Sequence, residues 1–380
     1  MQLDLTRWLP EFPVRDRCLY LDHAALSPLP RSVAQAMRER IGQRENAGRL
    51  AEEDWAHHAM TCRHLGAELT AAAPEDVAIV GSTSIGLSLI AQGIEWQPGD
   101  EVVVGDEEFA ANAAPWLALE RRGVRVVRFP QPGGRVRLED VAKAVGPATR
   151  IVSVSWVSFH TGWVAPLAQL GALCRENGAF LVVDAIQGLG ILPMDVRALG
   201  VDALVAGAHT WLLGPEGIAL LVTRPAFRSQ LRPVLAGWRN TGLGPDDFFL
   251  QELTFHLDGR RFEPGTADGA AVAGLAAALD LLTQVGTDVV QTRVEMLIRQ
   301  LMRILIAHGW ELFSPGPGHP VAGIVAARHP RVEPTEAVRR LAERHIVCSV
   351  REGFVRFSPH FYTTRGELEA LDRILEKIGL

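Results

Sequence analysis

Between residues 77 and 222, short apolar runs alternate with amphipathic ones, and no other feature constrains the fold as much. "DVAIV", "EVVVG", "VRVVRF", "RIVSVSW", "AFLVVDA", "VDALVAG" and "GIALLVT" read as strands. They are almost continuous in Val, Ile and Leu, the pattern of strands buried on both faces. Between them, "STSIGLSLIAQGI", "APWLALERRG", "LEDVAKAVG" and "PLAQLGALCRENG" carry helical spacing. Strands alternating with helices predict an α/β fold built on a mainly parallel sheet. Right-handed crossovers then gather the strand ends and helix N-termini along one edge, where ligands bind.

From about residue 268 the character changes. Two long helical stretches lead into a smaller α+β unit. We place a large domain at 21–284 and a small one at 285–380, with residues 1–20 packing on the latter. The stretch 235–262 is irregular, holds Trp238, Arg239 and Phe248–Phe249, and reads as an active-site or interface loop. A net charge of −6 offers nothing global to nucleic acid or to an anionic membrane. No apolar run reaches the roughly eighteen residues of a membrane helix, and "MQLDLTRWLPEF" lacks the features of a signal peptide, so the expectation is a cytoplasmic protein. The four cysteines show no metal-ligand spacing, and His57, His58 and His64 read as a surface or interface cluster; no metal is expected.

Three stretches place polar side chains along the expected edge. "GSTSIG" (81–86) lies between a strand and a helix. Backbone N–H groups at a helix N-terminus, with the Ser82, Thr83 and Ser84 hydroxyls, suit a phosphate and equally suit a simple helix cap. "LVVDAIQGLG" (181–190) puts Asp184 at the end of a buried strand, where a carboxylate needs a partner. That partner is either a cationic ring nitrogen of a ligand or a loop N–H; Gln187 is placed to reach the same ligand. "RFEPGT" ends in Gly265-Thr266 just before a long helix, a second phosphate donor or a second cap.

With "YLDHAALSPLP" (20–30), "EEFAANAAPW" (107–116), "AHTWLLGPEG" (208–217) and "VRFSPHFYTT" (355–364), these motifs cover nearly the whole chain. In number, order and spacing they resemble the class V aminotransferase family of pyridoxal phosphate enzymes, in its cysteine desulfurase and isopenicillin N epimerase branch. The resemblance implies the fold-type I architecture, a large α/β domain plus a small C-terminal α+β domain, and a homodimer with shared active sites. It implies Ser82, Thr83, Ser84 and His209 at the cofactor phosphate, with Thr266 reaching the phosphate of a neighbouring subunit. Phe109 stands where an aromatic residue stacks on the pyridine ring. Asp184 would pair with the protonated ring nitrogen and Gln187 with the phenolic oxygen. Arg356 would clamp a substrate carboxylate. His23 and Trp238 are further substrate-side candidates: His23 and His360 stand near motifs at the site mouth and could titrate there, and Trp238-Arg239 either closes the site or packs at the dimer interface.

In that family the histidine of "AHT" is followed by the lysine that forms a Schiff base with the cofactor. Here the position is Thr210, and the chain has only two lysines, Lys143 and Lys377, both on helices away from these motifs. The missing lysine would hold the cofactor and move the proton at the substrate's α-carbon; threonine does not do so unaided. His160, on the loop after a central strand, is the first choice as substitute base, though a histidine simply packed against Trp163 reads equally well; His209 is the second. Gly207 also replaces a hydroxyl residue. The other positions remain. The expectation is therefore pyridoxal or pyridoxamine 5'-phosphate bound non-covalently, acting on an amino-acid-like substrate by elimination, epimerisation or amino transfer. Three alternatives stand beside it: a cofactor-free enzyme reusing the pocket for an acidic substrate, a non-catalytic scaffold, and an engineered lysine-to-threonine variant. Cys348 lies inside an apolar strand only a short turn from Arg356, and reads as a core residue rather than a desulfurase nucleophile.

Overall fold

The structure, a computed structural model, describes residues 4–242, 249–316 and 318–380; Phe248 of the irregular loop lies outside them. The central sheet has seven strands: β1 (Val77–Val80), β2 (Glu101–Gly105), β3 (Arg125–Phe129), β4 (Thr149–Ser155), β5 (Phe180–Asp184), β6 (Ala203–Gly207) and β7 (Ala219–Thr223). Their spatial order is β1-β7-β6-β5-β4-β2-β3. Neighbours are parallel except around β7, which runs antiparallel to both β6 and β1. A parallel return needs a crossover long enough for a helix. Residues 208–218 contain none, so the chain turns back directly beside β6.

Alternate strand residues feed two cores. Val77 and Ile79 join one, Ala78 and Val80 the other. Leu87, Ile90 and Ala91 of the helix Thr83–Gly93 cover one face. Leu170 and Cys174 of Leu167–Glu176, with Leu275 and Leu279 of Gly269–Val285, belong to the larger core on the other face. Each fully buried Leu or Ile contributes about 1.5–3 kcal/mol. Ser82 caps Thr83–Gly93 by accepting a hydrogen bond from Ile85 N–H at 3.1 Å. Asp268 caps Gly269–Val285 in the same way.

At Gly286 the chain bends by 79° into the helix Thr287–Ala307. A small antiparallel sheet follows, in the order Ser349–Arg351, Phe354–Phe357, Val325–Arg328, Glu311–Leu312. Leu19–Tyr20 pairs in parallel with Ile346–Val347, and Phe12 stacks on Tyr362, so the N-terminal segment sits on the C-terminal unit. No single helix among the described residues is long and apolar enough to cross a membrane.

Candidate active site

The central strands end on one edge. Asp184 closes β5, and Ser155 closes β4 as its register partner. Phe109 follows β2, Thr83 follows β1, and His209 and Thr210 follow β6. Arg351 and Arg356 of the small sheet form a further wall. A cleft of about 150 Å³ lies among Phe109, Ser155, Asp184, Gln187, His209, Thr210, Arg351 and Arg356.

The floor is acidic. Asp184 is 2% exposed and, among the described residues, accepts one hydrogen bond, from Ile186 N–H at 3.0 Å. Burial pushes its carboxyl from 3.8 up to about 7; the Ile186 bond opposes this and nearby Glu108 adds to it. Glu108 accepts from Ser155 N–H at 2.9 Å, from the Ser155 hydroxyl and from Asn112 Nδ2 at 3.0 Å, and burial raises its pKa too. Sequence reasoning missed Glu108, although a carboxylate just before Phe109, on the loop after a buried strand, was a usable signal. No lysine lines the cleft. Lys143 pairs with Asp140 at 3.7 Å on an exposed helix, and Lys377 is exposed on the terminal helix Arg365–Ile378.

Thr210 is buried, and its hydroxyl donates to Ile186 C=O at 2.9 Å. The proton it would need for acid–base work is thus committed to the backbone. Gln187 donates from Nε2 to Ala24 C=O at 2.9 Å and accepts from Trp211 Nε1 at 2.7 Å, which leaves one amide N–H for a ligand. Gly207 N–H donates to Thr83 Oγ1 at 3.0 Å. A Cβ at Gly207 would come within 2.9 Å of Ile186 and 3.2 Å of both His209 and Thr83, so glycine here makes room for the His209 ring. Burial lowers the pKa of His209, against the pull of Glu216. Phe109 is half-exposed on the cleft wall, edge-on to Phe159.

The opposite wall is basic. Arg356 is 2% exposed, donates to Phe159 C=O at 2.7 Å and pairs with Asp22 at 3.4 Å. Its buried Nε has no hydrogen-bond partner among the described residues, and burial pulls the guanidinium pKa down to about 10.

Several expected residues lie elsewhere. His160 is buried away from the cleft, with Nδ1 3.2 Å from Ser158 Oγ and its ring against Gly134; Phe159 takes the wall position. The expectation of His160 as the substitute base is corrected accordingly. His23 is also corrected. It is wholly buried, with Nδ1 at Ser358 C=O and Nε2 at the Tyr362 hydroxyl, both 2.7 Å, so it packs behind the site. His360 is buried beside it against Trp211. Trp238 is 62% exposed and stands outside the cleft, with Arg239 over its ring. Thr266 lines a separate hollow with Arg40, Arg44 and Trp55. Ser82 is occupied as the helix cap, and Ser84 is exposed on the first turn. Cys348 is buried, and burial raises its thiol pKa.

A family model described as Aminotransferase class-V matches residues 19–371. The chain belongs to the aminotransferase class-V family. A probable cysteine desulfurase of Methanothermobacter thermautotrophicus is 28% identical, over 97% of this chain and 96% of that protein. The apo cysteine desulfurase of Thermococcus onnurineus NA1, 24% identical, superposes with a TM-score of 0.90 over 100% of this chain and 99% of that one, which shows a common fold. A lysine-to-alanine mutant of C-DES, with glycine covalently linked to its PLP cofactor, is 25% identical with a TM-score of 0.89, over 96% and 98% of the two chains. The class-V chain thus has the fold-type I α/β architecture of these enzymes.

Proposed function

We propose that this class-V protein is a vitamin B6-dependent enzyme. It binds pyridoxal or pyridoxamine 5'-phosphate without a covalent bond to the chain and acts on an amino acid or a close derivative. The observation that carries this is Asp184. A buried carboxylate with one backbone hydrogen bond, a carboxylate neighbour and no cationic partner among the described residues is poorly solvated by the protein alone. A protonated ring nitrogen is the partner it lacks. Phe109, exposed on the wall, offers a face to that ring, and the free amide N–H of Gln187 suits a ring oxygen. Thr83 and the first turn of Thr83–Gly93, with His209 beside them, suit the phosphate.

When bound, such a cofactor withdraws electrons from the amine-bearing carbon, so that a proton or a β-substituent leaves. Arg356, which lines the cleft, holds the substrate carboxylate and so orients the substrate's α-carbon. His209 is unprotonated at neutral pH because burial lowers its pKa, so it accepts a proton on the cleft wall. Thr210 keeps its hydroxyl on Ile186 C=O and takes no proton. With Cys348 buried and its thiol neutral, elimination, epimerisation or amino transfer fits this wall better than attack by a cysteine. The glycine adduct in the C-DES mutant is a precedent for holding an amine on the cofactor after loss of a lysine. Thr266 and Trp238, both outside this cleft, fit roles at a partner subunit's site in a homodimer.

Purified protein is desalted, and its absorbance is recorded before and after addition of either B6 form, beside Thr210→Lys. The native chain retains the chromophore, yet borohydride fixes no mass to it, whereas the lysine variant gains a fixable bond. A native chain that retains no B6 and shows no saturable binding, beside a variant that turns yellow, refutes the proposal and favours the cofactor-free reading.

A further inference from the structure

The short hairpin of the small sheet carries a second cation to the cleft. Ser349–Arg351 pairs antiparallel with Phe354–Phe357, in the register Ser349↔Arg356, Val350↔Val355 and Arg351↔Phe354. Ser349 and Arg356, directly opposite, share one face of the sheet. Arg351, two residues beyond Ser349, falls on that same face. The connection is only Glu352–Gly353, with φ of 48° and 79°. Two positive φ values in a two-residue loop are the tight turn that matches strand twist and fixes register. Arg351 is therefore held at the cleft by a rigid turn rather than by a loop.

Its surroundings match its charge only in part: it draws on Asp22 at a distance and shares that carboxylate with Arg356. Arg351 lines the same cleft as Arg356 and Asp184. Its hydrogen bond goes to a neutral acceptor, Val350 C=O, at 2.7 Å, and it makes no ion pair among the described residues. The nearby carboxylate, Asp22, is taken by Arg356 at 3.4 Å and by the Ser349 hydroxyl at 2.8 Å. Arg351 and Arg356 repel each other enough to contribute to the lowered pKa of Arg356. Two guanidiniums on one small wall, with one carboxylate behind them, are better matched by two anionic groups than by one.

We infer that the cleft selects an amino acid whose side chain ends in an anionic oxygen group, its α-carboxylate on Arg356 and its second anion on Arg351. This rests on the reading of the cleft as an amino-acid site. It assigns Arg351 as a specificity-determining residue. Carboxylate and sulfinate side chains share the required chemistry.

The test compares near-isosteric ligands by calorimetry at low salt, with and without pyridoxamine phosphate. L-aspartate, L-glutamate and L-cysteine sulfinate are set against L-asparagine and L-glutamine, on the native protein and on Arg351→Gln. The anionic ligands bind at least tenfold more tightly to the native chain. Arg351→Gln removes that preference and leaves the affinity for asparagine and glutamine unchanged, which also shows that the variant is folded. Equal affinities on the native chain overturn the inference, as does a preference that survives in Arg351→Gln or the absence of any amino-acid binding. The sulfinate arm, against aspartate, tells which anion fits. Retention of B6 is read separately. A B6-binding chain without the preference sinks only this inference, and a preference in a chain that binds no B6 sinks only the cofactor reading.

Discussion

Replacing Asp184 by Asn isolates the group on which the B6 reading stands. In the unliganded fold, burial raises this carboxyl from 3.8 to about 7. The sign follows from linkage: the folded state binds the proton more tightly than the unfolded state. Its contribution to stability is fully present below about pH 4 and is lost as pH rises towards 7. At about 1.4 kcal/mol per pKa unit, the loss amounts to about 4 kcal/mol. Asn has nothing to titrate, and its carbonyl oxygen can still accept the Ile186 N–H. Unliganded Asp184→Asn is therefore expected to be more stable than the native chain at pH 8, by up to about 4 kcal/mol, and equal to it near pH 4. Urea unfolding at a series of pH values reads this directly. Added pyridoxal phosphate narrows the gap: ligand at about 100 times Kd stabilises the native chain by about 2.7 kcal/mol, and the variant by much less. Two results refute the reasoning. One is a variant less stable at pH 8 with an unchanged pH slope. The other is a variant that retains the cofactor as tightly as the native chain.

Two further outcomes test neighbouring parts of the structure. Glu352 occupies the left-handed region at φ 48°, where a non-glycine residue is strained, so Glu352→Asn raises the unfolding free energy by about 0.5–1 kcal/mol; a lower urea midpoint contradicts the hairpin geometry. Burial pushes the Cys62 and Cys174 thiols up to about 12 and raises Cys348 as well, while Cys18 is only partly buried. Native protein at pH 8 therefore shows at most one thiol reacting promptly with a disulfide reagent, and rapid labelling of Cys348 revives it as a nucleophile.

Strand positions were legible because the apolar runs, except the edge strand Arg125–Phe129, are buried almost throughout and admit little else. The direction of β7 was also available. Residues 208–218 are too short to hold a crossover helix, and the Gly-Pro-Glu-Gly turn at 214–217 marks the reversal. Side-chain direction in loops was not legible. Phe159 and His160 are adjacent, and the histidine turns inward to Ser158 and Glu107, in space that Gly134 leaves open, while the phenylalanine lines the cleft. His23 lies beside Asp22, yet the bridge between Asp22 and Ser358 turns the imidazole into the core and leaves the carboxylate to meet Arg356. Arg351 could have been found. "VREGFVR" read as a two-residue turn sets Ser349 opposite Arg356 and brings Arg351 onto the same face.

Thr210 alters the chemistry of this cleft without altering its polarity. The floor remains acidic at Asp184 and Glu108, and the wall remains cationic at Arg351 and Arg356. A ligand with a cationic ring at one end and carboxylates at the other satisfies both sides at once. An acidic substrate alone answers the arginines and leaves the floor unpaired. The floor is expensive to leave so: about 4 kcal/mol is a large share of the 5–15 kcal/mol that holds a domain folded. The cofactor-free reading therefore has to explain why a buried carboxylate stays where, among the described residues, only the Ile186 N–H partly offsets its burial. The B6 reading has to explain only how a proton moves without a lysine, and His209 stands on the wall to move it.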